Sequence, residues 1–178
     1  NGIKRFGSAV KLHITYVFFC LGVMLSCQSP PEVSEEGAKE KLNVILDDWH
    51  EAAAQADFER YFKHMKSGSV FMGTDATEYW TKKEFKEFAK PYFDRGRAWN
   101  FTPISRNIYL SKNHQTAWFD EQLDTPNLGP ARGSGVLVKQ DTTWKIAHYN
   151  LSIPIPNAIV DSVVNDIEKF HNEDTDSE

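Results

Sequence analysis

The residues of this chain best suited to chemistry lie in its C-terminal half: Asp120, Arg132, His148, Tyr149 and Asn150. Alternation along Gln115–Asp124 puts Trp118, Asp120 and Gln122 on one face and Ala117, Phe119 and Glu121 on the other. Arg132 stands among Ala131, Gly133, Ser134 and Gly135, small residues that leave room for a ligand or a backbone to approach. A guanidinium at a pocket mouth would suit a carboxylate ligand; equally, it could close an ion pair with Asp120 or Glu121. His148 alternates with Tyr149 and Asn150 on what reads as the last strand. Its imidazole could shuttle a proton, or it could be a satisfied core histidine beside Trp144.

Other chemistries find no pattern. His50 and His64 fall on two helices with Asp57 between them, without the H-E-x-x-H spacing of a metal site. Ser134 and Ser152 lack a G-x-S-x-G context. No Gly-rich loop follows a strand and opens a helix, so no nucleotide fingerprint is present. The expectation is no metal and no cofactor. Both cysteines, Cys20 and Cys27, lie near the N-terminus, which leaves the body without a disulfide or a thiol nucleophile. A formal charge of −5 disfavours nonspecific binding of nucleic acid, which depends on Lys and Arg neutralising phosphates. An aromatic content of 13% is enough for a large core or an aromatic-lined cavity.

These residues must be positioned by helices that come first and strands that come later. Leu42, Ile45, Trp49 and Ala52 or Ala53 form one stripe of a helix from Ser34 or Gly37 to Ala56. Asp57 is placed to cap a short second helix from Phe58 to Met65. Ser69–Thr74 reads as a short strand. Thr81 and Glu84 make a capping box for a third helix, which Pro91 should kink or end and Gly96 stops. Tyr79 and Trp80 precede that helix and could form a pocket lip; Trp99 and Phe101 are bulky enough to help close a cavity. After Gly96 the period falls to two, giving strands Ala98–Ser111, Gln115–Asp124, Arg132–Gln140 and Thr143–Ser152 joined by turn residues. Short links pair sequential strands antiparallel. Ile159, Val160, Val163, Val164, Ile167 and Phe170 mark a C-terminal amphipathic helix with an acidic tail. Helices segregated before an antiparallel sheet give an α+β fold.

Residues 1–26 have the layout of a secretory signal: Lys4, Arg5 and Lys11, then an apolar run from Ile14 to Leu25, then Ser26. The run is too short for a bilayer core, which needs about 20 residues. Met24-Leu25-Ser26-Cys27 resembles the lipobox of bacterial lipoproteins, which implies lipidation at Cys27. Residues 27–36 then read as a solvated tether, 37–156 as the domain and 157–178 as helix and tail. The implied location is the bacterial cell envelope, lipid-anchored, with the outer membrane preferred because Gln28 is not an Asp-type retention signal.

The body resembles the SnoaL-like branch of the nuclear transport factor 2-like superfamily over residues 38 to 153. The resemblance rests on Trp49–Asp57, Val70–Asp75, Ala117-Trp118-Phe119, Gly133–Leu137 and above all Trp144–Ser152. It implies a cone: a curved antiparallel sheet wrapped around the N-terminal helices, with a pocket inside. Kinase association domains, which the Gln115–Asp124 strand resembles, place a polar pocket residue where Asp120 falls. The implied pocket residues are Trp118, Asp120, Arg132, Tyr149, Asn150 and Trp80, with Glu121 a solvated or interface charge. The catalytic Tyr and paired carboxylates of the isomerases have no match here. The main expectation is therefore a lipid-anchored, noncatalytic protein that binds an unidentified small molecule. One alternative is an isomerase, dehydratase or cyclase acting on a small carbonyl compound, with Asp120 as base and His148 or Tyr149 as partner. Another is a homodimeric interaction module using Phe119, Val136 and Val138 on the convex sheet face.

Overall fold

A computed structural model describes Gly2 and residues 34–175. The signal segment, the tether as far as Val33 and Cys27 lie outside the described residues, Gly2 excepted. Helix α1 spans Glu35–Ala54, two residues into the expected tether, because Ser34 accepts a hydrogen bond from the Gly37 N–H at 3.1 Å and caps it there. Its buried stripe is Ala38, Leu42, Leu46, Trp49, His50 and Ala53. Asp57 caps α2 (Phe58–Lys63) by accepting from the Arg60 N–H at 3.0 Å. Strand β1 (Met65–Met72) starts earlier than expected. Tyr79 and Trp80 belong to a short strand β2 (Tyr79–Thr81), and the Thr81–Glu84 capping box opens α3 (Lys82–Asp94).

Helix α3 runs through Pro91. Proline forfeits one N–H bond to residue i−4; here both Pro91 and Glu87 are exposed, so water can serve the freed carbonyl, while Phe85, Ala89 and Phe93 hold the helix down from its buried side. Four strands follow: β3 (Thr102–Leu110), β4 (Thr116–Asp124), β5 (Ala131–Gln140) and β6 (Thr143–Ser152). A single 3-10 turn (Asn157–Ile159) then leads into α4 (Val160–Thr175). No described helix is long and apolar enough to cross a membrane.

The six strands form one curved sheet in the order β2-β1-β6-β5-β4-β3. All neighbours are antiparallel except β1 and β6, which run parallel, with Phe71 opposite Tyr149 and Met72 opposite Asn150. The inner face carries Phe71, Ala117, Phe119, Leu123, Leu137, Ile146, Tyr149 and Leu151, against which α1, α2 and α3 press Trp49, Phe62 and Phe85. Phe71 and Phe85 stack at 4.0 Å, and the edge of Trp49 meets Tyr149 at 4.7 Å. Fully burying each such ring contributes about 1.5–3 kcal/mol, so the interior of the cone is largely filled core.

Candidate functional site

The polar centre of the inner face is not where alternation by analogy put it. Glu121 is 1% exposed and Asp120 lies on the outer face, so the parity assigned to β4 is reversed. Ala117, Phe119 and Leu123 share the face of Glu121, and burying these apolar residues carries Glu121 inward with them. Phe119 accordingly belongs to the core and not to the convex face.

Three groups close on the Glu121 carboxylate. On α1, His50 Nε2 lies 2.8 Å from Oε1. From β6, the Tyr149 hydroxyl donates to the same oxygen at 3.0 Å. From β3, Arg106 Nε donates to Oε2 at 2.8 Å, while Arg106 Nη1 reaches Asp47 at 2.8 Å and Asn43 Oδ1 at 3.1 Å on α1. Arg106 Nη2 is buried without a partner. Gly133 on β5 makes room for this arrangement: a Cβ there would fall 2.2 Å from the Tyr149 hydroxyl oxygen and 2.8 Å from Glu121 Oε1.

Burial works against ionising Glu121, but the hydrogen bond and charge of His50, together with the Arg106 guanidinium, hold its carboxyl below the usual carboxylate range. Burial and the adjacent Glu121 charge push the Tyr149 phenol well above its ordinary value, so it stays neutral and donates. A carboxylate with three donors and a depressed pKa is a weak base. Its evident work is to tie α1 to β3, β4 and β6.

Beside this cluster lies a cavity of about 110 Å³ lined by Phe71, Trp80, Phe85, Phe88, Trp99 and Phe101, with Gly73, Thr74, Glu78 and Leu151 at its margins. Phe101 packs edge-on against His50 at 6.1 Å, and Phe71 lies tilted against Tyr149 at 5.5 Å, so two rings separate the cavity from the polar groups. Its polar wall is the Glu78 carboxylate, which accepts from the Asp75 N–H at 3.2 Å.

Of the residues singled out by sequence, Trp80 lines this cavity and Tyr149 is buried against Glu121. The other five lie on the outer face of the sheet, away from this cavity. Trp118 is 46% exposed and stacks on Tyr109 across β3 at 5.7 Å. Asp120 accepts from Asn107 Nδ2 at 2.9 Å, and Arg132 is exposed, opposite Gln122. His148 and Asn150 share this outer face, aligned with Val136 and Ser134. Asp120 aligns through Ser134 with Asn150, one step along from the Trp118–Val136–His148 row, so Asp120 and His148 stand two strands apart and offset in register. The register does not bring that pair together as base and partner. Among the described residues no three His, Cys, Asp or Glu side chains converge as metal ligands would.

A family model for the SnoaL-like domain matches residues 42–156. The chain belongs to the SnoaL-like domain family. No curated protein matches it. The SnoaL-like body shares its fold with several solved structures. One is a nuclear transport factor 2-like protein of unknown function from Pseudomonas putida, at 13% identity and TM-score 0.59, covering 71% of this chain and 92% of that one. Another, from Streptomyces avermitilis, is described as a candidate dehydratase of that family, at 12% identity and TM-score 0.60, covering 69% and 100%. A third is the association domain of calcium/calmodulin-dependent kinase II from C. elegans, at 21% identity and TM-score 0.54, covering 68% and 99%. At such identities the likeness concerns the fold, and the SnoaL-like site has to be read from its own residues.

His50 and Glu121 are the buried polar pair that sequence reasoning missed. A signal for each exists. His50 sits on the buried stripe of α1, four residues after Leu46, and Glu121 is the one charge on a face otherwise made of Ala117, Phe119 and Leu123.

Proposed function

We propose that the SnoaL-like body binds a small, mainly apolar molecule in the aromatic cavity and does not transform it. The observation that carries this reading is the cavity's lining: six aromatic rings, one carboxylate at the margin and none of the buried polar cluster. Catalysis would need a base within hydrogen-bond reach of the ligand. Glu121 lies behind Phe71 and Phe101 with its lone pairs already engaged. A volume of about 110 Å³ suits a ligand of about one ring, since an apolar cavity of ~150 Å³ accepts benzene. Because Trp80 and Trp99 line the cavity, indole-free probes such as toluene and cyclohexanol should change tryptophan fluorescence saturably and raise the melting temperature. Trp80→Ala should weaken the fluorescence response, leaving Trp99 as the remaining reporter. Failure of every such probe to move either signal would reject the reading.

The same proposal places the protein in the bacterial cell envelope, anchored through lipid on Cys27 and preferentially at the outer membrane. It is supported by the basic, apolar, small-residue order ending at Ser26-Cys27. Mass spectrometry of the mature N-terminus tests it: acylated Cys27 is expected, and an unmodified Gln28 start or an intact signal refutes it. Two acyl chains are needed for stable attachment, so Cys27→Ser should abolish lipidation and leave the protein unprocessed or mislocalised, without unfolding the domain.

A second reading, self-association through the outer sheet face, is favoured by the exposed Trp118–Tyr109 stack and by Ile104, which is 65% exposed. The half-buried Val136 and Val138 join it in place of the buried Phe119. Analytical ultracentrifugation should find a dimer that Trp118→Glu dissociates; a monomeric wild type rules this out.

A further inference from the structure

The chain is acidic overall, yet one side of the body is basic. Lys82, Lys83 and Lys86 on the first turns of α3 line a hollow of about 370 Å³ with Ser67, Gly68 and Thr81. Next to it a groove of about 710 Å³ runs between α1 and the β5–β6 turn, edged by Lys41, Lys63 and Lys145 and floored by Val44, Ile45 and Trp144. The two lie near one another: Lys82 Nζ donates to the Met65 carbonyl at 2.7 Å and Lys145 Nζ to the Lys63 carbonyl at 2.8 Å, on either side of His64. Among the described residues none of these six lysines is in an ion pair. The acidic groups nearby are few. Glu40 lines the groove, Glu59 attracts Lys82, and Glu84 is engaged by Thr81. Burial, then the charges of Lys86 and Lys145, push the Lys82 ammonium below its usual range, so these lysines repel one another.

Six like charges, only partly offset by Glu40, Glu59 and Glu84, cost free energy in the isolated body and are relieved by an external anion. The form of that anion follows from the groove. Val44 is 62% exposed beside the cationic rim, so an apolar strip adjoins the charges. A lipid surface offers this layering, phosphates next to acyl chains. Nucleic acid offers phosphate without it and would meet an otherwise acidic protein. The chain also enters the body on this side, because Gly37 in the first turn of α1 lines the groove.

We propose that this lysine face docks the body on an anionic lipid surface, phosphates over the Lys82–Lys86 hollow and the apolar margin of the headgroup layer against Val44. The inference is independent of the cavity ligand. It is tested apart from the anchor on residues 33–178, which form a self-contained compact unit with their own core.

The experiment is co-sedimentation with phosphatidylcholine vesicles with or without about 30% phosphatidylglycerol, at about 50 mM and about 300 mM salt. Binding should require the anionic lipid and weaken at the higher salt. Lys41→Gln, Lys83→Gln and Lys86→Gln together should lower the affinity on the order of a hundredfold, as three near-surface lysines predict. The same charge change made elsewhere, with Arg97→Gln, Lys112→Gln and Lys169→Gln, should have far less effect. The proposal is overturned by equal binding to neutral vesicles, by no binding to either kind, or by equal loss in the two triple variants. Release by millimolar inorganic phosphate at constant ionic strength also overturns it, by revealing a site for free phosphate.

Discussion

Gly133→Ala should destabilise the body severely, although it adds a single methyl group. The backbone at Gly133 is not in the left-handed region, so alanine is conformationally acceptable there. In a strand it would ordinarily help, because glycine costs about 0.5–1 kcal/mol relative to alanine. The new Cβ, however, would stand 2.2 Å from the Tyr149 hydroxyl oxygen and 2.8 Å from Glu121 Oε1. Tyr149 is fully buried between Trp49 and Phe71 and has nowhere to retreat. Overpacking of this kind costs about 1–3 kcal/mol. Losing a hydrogen bond to an ionised carboxylate adds about 1.5–3 kcal/mol. Less the gain from replacing glycine, the sum is about 2 to 5 kcal/mol, a large part of the stability of a domain this size, roughly 5–15 kcal/mol. Urea unfolding followed by circular dichroism measures it. The clash is mainly with the hydroxyl, so in a Tyr149→Phe background the alanine should cost at least 1 kcal/mol less. A Gly133→Ala protein within about 0.5 kcal/mol of wild type, or strictly additive effects in the double variant, would refute the geometry.

Three further outcomes follow from the same packing. Glu121→Gln should cost about 3–5 kcal/mol near neutral pH by leaving Arg106 buried beside a neutral amide. Because the folded pKa of Glu121 is lowered from 4.5, its contribution is present above that value and lost as pH falls through the folded pKa; urea midpoints taken downward from about pH 6 should show a loss in wild type that the variant lacks. Asp120→Asn should shift stability by no more than about 0.5 kcal/mol, since the group is on the outer face and an amide oxygen can still accept from Asn107; a larger loss in thermal melts would contradict that placement. Thr81→Ala should cost about 1 kcal/mol by removing the hydroxyl of the α3 capping box, again read from urea unfolding, and no change would mean that Glu84 alone suffices.

The fold was legible because its signals are local. Ser34, Asp57 and the Thr81–Glu84 box sit at helix starts, and the period changes after Gly96 where the strands take over. The α+β class follows from that order, whereas the SnoaL-like resemblance was carried by motifs such as Trp49–Asp57 and Trp144–Ser152. The site was less legible because its contacts are distant in sequence: His50 meets Glu121 across 71 residues, and no local pattern couples them. The inward face of β4 could have been read from composition, since Ala117, Phe119 and Leu123 outweigh one charge. Analogy with another domain's pocket residue pointed to Asp120 instead. Pro91 misleads for a related reason: its penalty is local, whereas the packing of Phe85, Ala89 and Phe93 that overrides it is tertiary.

The parallel pairing of β1 with β6 bears on how the protein comes into being. During synthesis β1 can pair early only with the three residues of β2, and its other edge stays open until Thr143–Ser152 has emerged. Tyr149, which completes the donors around Glu121, arrives on that same late strand. A nascent, stalled or truncated chain ending before β6 therefore exposes an unpaired apolar strand and an incompletely satisfied buried charge. Quality control should meet this protein as either nearly finished or unprotected, and fragments lacking β6 should be cleared by proteases as they appear.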